Sequence, residues 1–154
     1  MKNLLKLYTK NLRFANCIAF FAIGLFLTSS LNAQTLHIKI EGIKNSKGVI
    51  QLGFFKSAQD YKNDISFFKF IDKKSMKNGT IYVSYTDIKP GTYGIALLDD
   101  ENNNKKMDFS FFIPTEGFGF SDYYATGLSK PSFDKFSFYF GGKDKTVVIK
   151  IRYI

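Results

Sequence analysis

The chain of 154 residues contains one cysteine, one histidine and no tryptophan. Cys17 lies inside an apolar N-terminal run, so the rest of the chain has no thiol for a disulfide or a zinc–cysteine site. His37 lies in a predicted strand, where a lone histidine is most often a surface residue. These absences exclude a disulfide scaffold and argue against catalysis by a paired nucleophile and base.

Arginine and long apolar runs are also scarce. After residue 33, Arg152 is the only arginine, and the lysines are dispersed along predicted strands and turns. Nucleic-acid-binding domains usually cluster their basic residues, so we expect no nucleic-acid partner. No second apolar run is long enough to cross a bilayer, so we expect no membrane span in the mature chain.

Residues 1–33 have the pattern of a cleaved signal peptide. Four basic residues and no acid precede an apolar run at residues 14–27, and the small residue Ala33 suits cleavage before Gln34. Export would place a single domain, residues 34–154, in the periplasm or outside the cell. Four positive charges leave with the peptide, which lowers the net charge from +9 to +5.

The mature chain has the period-2 alternation of β-strands. Residues 36–40 and 49–55 predict two strands that pair as a hairpin, and Tyr93–Leu98 predicts a central strand because it is apolar on both faces. Pro90-Gly91 before it predicts a type II turn with Gly91 at positive φ. About seven short strands separated by turn residues favour an all-β fold, a single antiparallel sandwich of Ig-like or transthyretin-like type.

Oxygen-bearing side chains are spaced along residues 100–108 as in a calcium-binding loop. Asp100, Asn102 and Asn104 occupy positions 1, 3 and 5, Lys106 offers its carbonyl at position 7, and Asp108 falls at position 9. Calcium prefers such oxygen ligands, and with only two carboxylates the affinity would be weak, in the millimolar range. Calcium is therefore the one possible cofactor.

Two positions depart from that calcium pattern. Lys105 stands at position 6, where glycine normally supplies a left-handed residue, and Phe111 replaces the bidentate glutamate of position 12. Glu116 could substitute only if the chain folds back. The alternative is a structural loop whose Asp and Asn side chains bond nearby backbone amides.

Acids in this region could also serve a hydrolase that uses paired carboxylates. The candidates are Asp99, Asp100, Glu101, Asp108 and Glu116. On an exposed polar loop they would lack the burial that separates two carboxyl pKa values. We therefore expect no catalytic residue and no enzyme activity.

A binding or accessory module is the role that we expect, with its contact surface in residues 99–124. A cell-envelope protein or a glycan is the candidate partner, although the missing tryptophan argues mildly against a sugar platform. In the adjacent pairs Phe111-Phe112 and Tyr123-Tyr124, strand geometry sends one ring outward, either towards a ligand or across the sandwich edge. The candidate surface residues are Glu116, Phe118, Phe120, Tyr123 and Tyr124.

Three ordered motifs resemble the domain of unknown function 2141, a family of small exported bacterial proteins. They are Pro90-Gly91-Thr92-Tyr93, the Asp and Asn ladder of residues 100–108, and Ile113-Pro114-x-Glu116-Gly117-Phe118-Gly119-Phe120-Ser121. Lys105 stands where that family usually has glycine. The family has no established activity, so the resemblance implies fold and export more than function. The strand entry at residues 90–93 is also similar to transthyretin-like and carboxypeptidase-regulatory-like sandwiches, which are mostly accessory modules.

Overall fold

A computed structural model describes residues 34–127 and 129–154. The predicted signal peptide, residues 1–33, lies outside the described residues. Gln34–Ile154 forms a compact unit of its own with its own hydrophobic core. In the described part of the chain, no helix combines the length and apolarity that crossing a membrane requires.

Ten strands and one short α-helix make up the described domain. In chain order they are β1 Leu36–Glu41, β2 Val49–Phe55, α1 Ala58–Lys62, β3 Phe67–Asp72, β4 Thr80–Tyr85, β5 Gly91–Asp100, β6 Phe109–Ser110, β7 Ile113–Pro114, β8 Gly117–Phe120, β9 Ser137–Phe140 and β10 Lys145–Lys150. Ser57 caps α1 by accepting a hydrogen bond from the Asp60 amide. Short 3₁₀ turns at Lys73–Ser75 and Phe133–Lys135 complete the structure.

The strands form three sheets; two of them face each other across one core, and the third is the two-stranded pair β6-β7. Sheet A has the order β10-β1-β4, and sheet B has the order β3-β2-β5-β8, with β9 also pairing with β5. Inward-facing residues of both sheets form one buried hydrophobic cluster, which confirms the predicted all-β sandwich. Representative core residues are Leu36, Ile38 and Ile149 from sheet A and Leu52, Ile95 and Leu97 from sheet B.

Strand pairing differs from the prediction in two places. β1 and β2 do not form a hairpin, because β1 pairs with β4 and β10 while β2 pairs with β3 and β5. The β1–β2 connection therefore crosses between the sheets. β1 and β10 also run parallel, which local alternation could not reveal because β10 is the last strand of the chain.

β5 is the central strand of sheet B, as its two apolar faces predicted. It pairs with β2 along one edge and with β8 and β9 along the other. Gly91 is the first residue of β5 and does not have the positive φ expected of a type II turn. The far end of β5, at Asp99 and Asp100, carries the candidate functional site.

Candidate functional site

Strand β5 ends in two acids that are both fully buried. Asp99 and Asp100 have no exposed surface. Successive side chains of a strand point to opposite faces, so Asp99 faces the same side of the sheet as Ile95 and Leu97. Its carboxylate therefore points into the core. A buried carboxylate is unfavourable unless it is paired and hydrogen-bonded, so the partners of both acids determine this end of the sheet.

Asp99 is paired with Lys73 and Tyr153. The Lys73 ammonium, itself only 2% exposed, contacts Asp99 Oδ1 and also donates to the Lys47 carbonyl at 2.5 Å. The Tyr153 hydroxyl donates to Asp99 Oδ2. Burial, followed by this bond to Asp99, raises the pKa of Tyr153. The three residues join the 3₁₀ turn after β3, the end of β5 and the C-terminus.

Sequence reasoning missed this buried contact. Lys73 looks no different from its neighbour Lys74 in a lysine-rich turn, and the two differ only in their burial in the fold. One signal was available, since Asp99 continues the alternation of Ile95 and Leu97.

Asp100 organises the loop that follows β5. Its Oδ1 accepts from the Asn104 amide at 3.1 Å and its Oδ2 from the Lys105 amide at 2.9 Å. Lys105 has φ +62°, the left-handed conformation that position 6 of the calcium pattern requires. The loop therefore closes around the carboxylate of its first residue through backbone amides.

The Glu116 side chain links the start of this loop to its end, just before β6. Its side chain is 5% exposed, and its two oxygens accept from the amides of Glu101 at 3.1 Å and Asp108 at 3.3 Å. Burial raises the pKa of Glu116, while the two amides oppose that shift. Glu116 therefore holds the loop from inside, and its burial does not match the prediction that it belongs to a contact surface.

The remaining calcium-candidate residues bond to one another. Asp108 accepts from the side-chain amides of Asn102 at 2.6 Å and Asn104 at 3.0 Å, and Asn104 Oδ1 accepts from the Lys106 amide. Over residues 34–127 and 129–154, no group of three or more His, Cys, Asp or Glu side chains is placed to hold a metal ion. The five candidates thus lie together, with the hydrogen bonds expected of a structural loop.

The prediction that the candidate hydrolase carboxylates lie on an exposed polar loop was wrong for three of the five acids. Asp99, Asp100 and Glu116 are buried, whereas an exposed loop was expected. Their oxygens are engaged by the contacts above, which gives each of them a structural task. His37 Nδ1 lies 2.8 Å from Ser84 Oγ, but these two residues are a cross-strand pair between β1 and β4 on an exposed face.

A hairpin formed by β6 and β7 projects beyond the loop. Ser110 pairs with Ile113, so Phe111 and Phe112 are the two residues of the turn. Their φ values are +47° and +69°, and two positive φ values at the central residues are the pattern of a type I′ turn. Asn-Gly is the usual sequence there. The phenylalanines are 94% and 98% exposed, so both rings point outward, whereas strand geometry had predicted one.

The predicted surface residues after the hairpin divide into two groups. Phe120 is buried and packs with Phe136 on the outer face of sheet B, so it does not belong to a contact surface, and Phe118 is half-buried against the same cluster. Tyr123 also packs against that cluster, and together with Tyr124 it lines a shallow depression of about 310 Å³. Tyr124 is 51% exposed.

The glycines of the motif at residues 116–121 have a steric explanation. A Cβ at Gly117 would lie 2.5 Å from the Tyr153 ring, and one at Gly119 would lie 2.7 Å from Ile149. β8 therefore approaches the C-terminal segment too closely for any side chain. The same close approach positions Tyr153 beside Asp99.

These features define a small β-sandwich domain with a structured acidic loop and a projecting aromatic hairpin. The chain belongs to the family of the domain of unknown function 2141, an uncharacterized protein conserved in bacteria, whose profile matches residues 38–148. The match confirms the family that the motifs at residues 90–121 indicated. No curated protein and no solved structure matches the chain. The transthyretin-like comparison stays a prediction.

Proposed function

We propose that this protein is an exported, non-catalytic binding or accessory module whose contact surface lies in residues 99–124. The observation that carries the proposal is the exposure of Phe111 and Phe112, at 94% and 98%, on the turn of a hairpin. Exposed apolar residues that occur singly need no explanation, whereas a contiguous group indicates an interaction site.

The backbone conformation of this turn supports the same conclusion. A non-glycine residue in the left-handed region is disfavoured by about 1–2 kcal/mol, and a phenylalanine gains nothing there that asparagine or glycine would not provide. Strained conformations of this kind cluster at functional sites. Phe111 and Phe112 are therefore better explained by a contact made outside the domain than by the stability of the fold.

The loop beneath the hairpin supports a preorganised contact. Asp100 and Glu116 fix the loop through four backbone amides, and the Thr115 amide donates to the Asp108 carbonyl at 3.0 Å. A contact surface that is already ordered loses less conformational entropy when it binds. The buried acids thus act as supports for the exposed rings.

Export follows from the pattern of residues 1–33 and belongs to the same proposal. A basic segment, an apolar run and a small residue at position 33 direct a chain to the periplasm or the cell exterior. The partner would then be a component of the cell envelope.

Capture from the cell envelope tests the proposal. Residues 34–154 would be immobilised and exposed both to envelope membrane vesicles and to a detergent-solubilised envelope fraction, beside Phe111→Asn/Phe112→Gly. Tyr139→Thr is the matched control, because Tyr139 is 65% exposed and pairs with Thr92 at the opposite end of β5. We expect an enriched component with wild type and Tyr139→Thr that is lost with the hairpin variant. No enrichment, or enrichment that survives the hairpin change, would overturn the proposal.

Calcium binding by the loop is a second candidate, favoured by the left-handed Lys105 and by the convergence of Asp100, Asn102, Asn104 and Asp108. Weak extracellular calcium sites have dissociation constants of about 0.1–1 mM, so about 10 mM calcium would fill such a site. The melting temperature of residues 34–154 should then rise in calcium and stay unchanged in Asp108→Asn. An unchanged wild-type melting temperature would rule out this candidate.

A further inference from the structure

We propose that the hairpin inserts its apolar residues into the headgroup region of an anionic phospholipid bilayer. The aromatic tip is defined here as Phe109, Phe111, Phe112 and Ile113. The inference rests on the proposed function and names the partner of that same surface.

The shape and chemistry of the aromatic tip fit a bilayer. Its four side chains are 62%, 94%, 98% and 43% exposed, so the apolar surface projects from the domain without forming a cleft. Each phenylalanine ring can remove about 150–250 Å² from water when it is buried. A projecting apolar group needs a partner that can close around it, and the acyl boundary of a bilayer does so without a preformed pocket.

The charges beside the aromatic tip select the kind of bilayer. Lys105 and Lys106 are exposed in the loop that leads into β6, and the domain carries a net charge of +5. The acids of the same region are either buried, as Asp99, Asp100 and Glu116 are, or half-buried and hydrogen-bonded, as Glu101 and Asp108 are. Lys105 and Lys106 are therefore the exposed charged residues of this region. Basic residues next to exposed apolar residues are the pattern of proteins that bind anionic lipid surfaces.

The support of the aromatic tip makes shallow insertion feasible. The Glu116 side chain and the Thr115 amide both bond to Asp108 at the base of the hairpin, at 3.3 Å and 3.0 Å. The two strands hold only two residues each, so the rings stay close to this anchored base. The hairpin is therefore long enough to reach the headgroup region and too short to cross the bilayer, for which a strand needs about 9–11 residues.

The missing tryptophan makes the test specific. Because the chain has none, Phe112→Trp introduces a single reporter at the aromatic tip. Tyr139→Trp places the same reporter at the opposite end of β5. Both variants of residues 34–154 would be titrated with phosphatidylcholine vesicles, with and without phosphatidylglycerol, and with lipids brominated near the top of the acyl chain.

We expect a blue shift and bromine quenching for Phe112→Trp on the anionic vesicles and neither for Tyr139→Trp. Binding measured by sedimentation should weaken on the order of 100-fold in Phe111→Asn/Phe112→Gly, since two rings no longer leave water. Lys105→Gln and Lys106→Gln should each weaken it roughly fivefold.

Three outcomes would overturn the inference. If anionic vesicles produce no shift while the solubilised envelope fraction still yields a hairpin-dependent component, the partner is a protein and the proposed function stands. If neither binding is seen, both proposals fail. If neutral and anionic vesicles give equal shifts and affinities, the assignment to anionic lipid is wrong.

Discussion

The end of β5 and the aromatic tip are neighbouring regions of the chain. Both reverse the usual distribution of residues, in which acids are exposed and phenylalanines are buried. At the end of β5 the acids Asp99 and Asp100 have no exposed surface, whereas Phe111 and Phe112 at the tip are almost completely exposed. The acids are buried because lysine, tyrosine and backbone amides surround them. The rings of Phe111 and Phe112, by contrast, are not covered by neighbouring residues of the domain. Folding explains the first region, whereas the contact that we propose would explain the second.

The largest expected effect comes from breaking the buried contact between Lys73 and Asp99. Lys73→Met leaves the Asp99 carboxylate buried beside an apolar side chain, so the free energy of unfolding should fall by about 3–5 kcal/mol. The matched control is Lys74→Met, because Lys74 forms an exposed pair with Asp72 at 3.1 Å and should change stability by only about 0–1 kcal/mol. Urea denaturation measures both. Equal losses in the two variants would show that the Asp99 contact has no special role.

Removing the Tyr153 hydroxyl should have a smaller effect, and one that depends on pH. Tyr153→Phe deletes the bond to Asp99, which should lower the free energy of unfolding by about 1.5–3 kcal/mol at pH 7. Because folding raises the pKa of Tyr153, its contribution is complete below the unfolded value of about 10 and is lost as the pH rises above it. The difference between wild type and variant should therefore narrow above about pH 10. A constant difference up to pH 11 would contradict this assignment.

The smallest expected effect concerns the loop that connects the two regions. Lys105→Gly removes the side chain from a left-handed position and should raise the free energy of unfolding by about 0.5–1 kcal/mol. Lys106 does not have positive φ, so Lys106→Gly should give no gain. Thermal denaturation of the two variants checks the pair. A loss in Lys105→Gly would show that the lysine side chain stabilises the loop, for example through its position over the Phe70 ring at 5.7 Å.

Much of the fold could be predicted from local sequence. Alternation located the main strands, and two apolar faces identified the central strand. The pairing of β1 with β10 could not be predicted in this way, because the two strands lie at opposite ends of the domain. The crossing between β1 and β2 was missed for a different reason, because short connections between consecutive strands favour hairpins and this one departs from that preference.

The spacing of the polar residues located the loop along the chain, but the burial of Asp99, Asp100 and Glu116 was not predicted. The spacing of Asp100 and Asp108 predicted that both lie in one loop. It could not show that the Glu116 side chain accepts hydrogen bonds from two backbone amides of that loop. The left-handed conformation was expected at Gly91, while Lys105, Phe111 and Phe112 adopt it. Residue type is a weak guide at positions where the backbone departs from local preference.

The most direct test of the aromatic tip is the free energy of unfolding of Phe111→Asn/Phe112→Gly, measured by urea denaturation of residues 34–154. Asn-Gly suits a turn with two positive φ values, and the two rings make little contact with the domain. We expect the variant to be about 1–2 kcal/mol more stable than wild type while it loses the binding that we propose. A variant as stable as wild type, or less stable, would show that Phe111 and Phe112 serve the fold and would contradict the central claim.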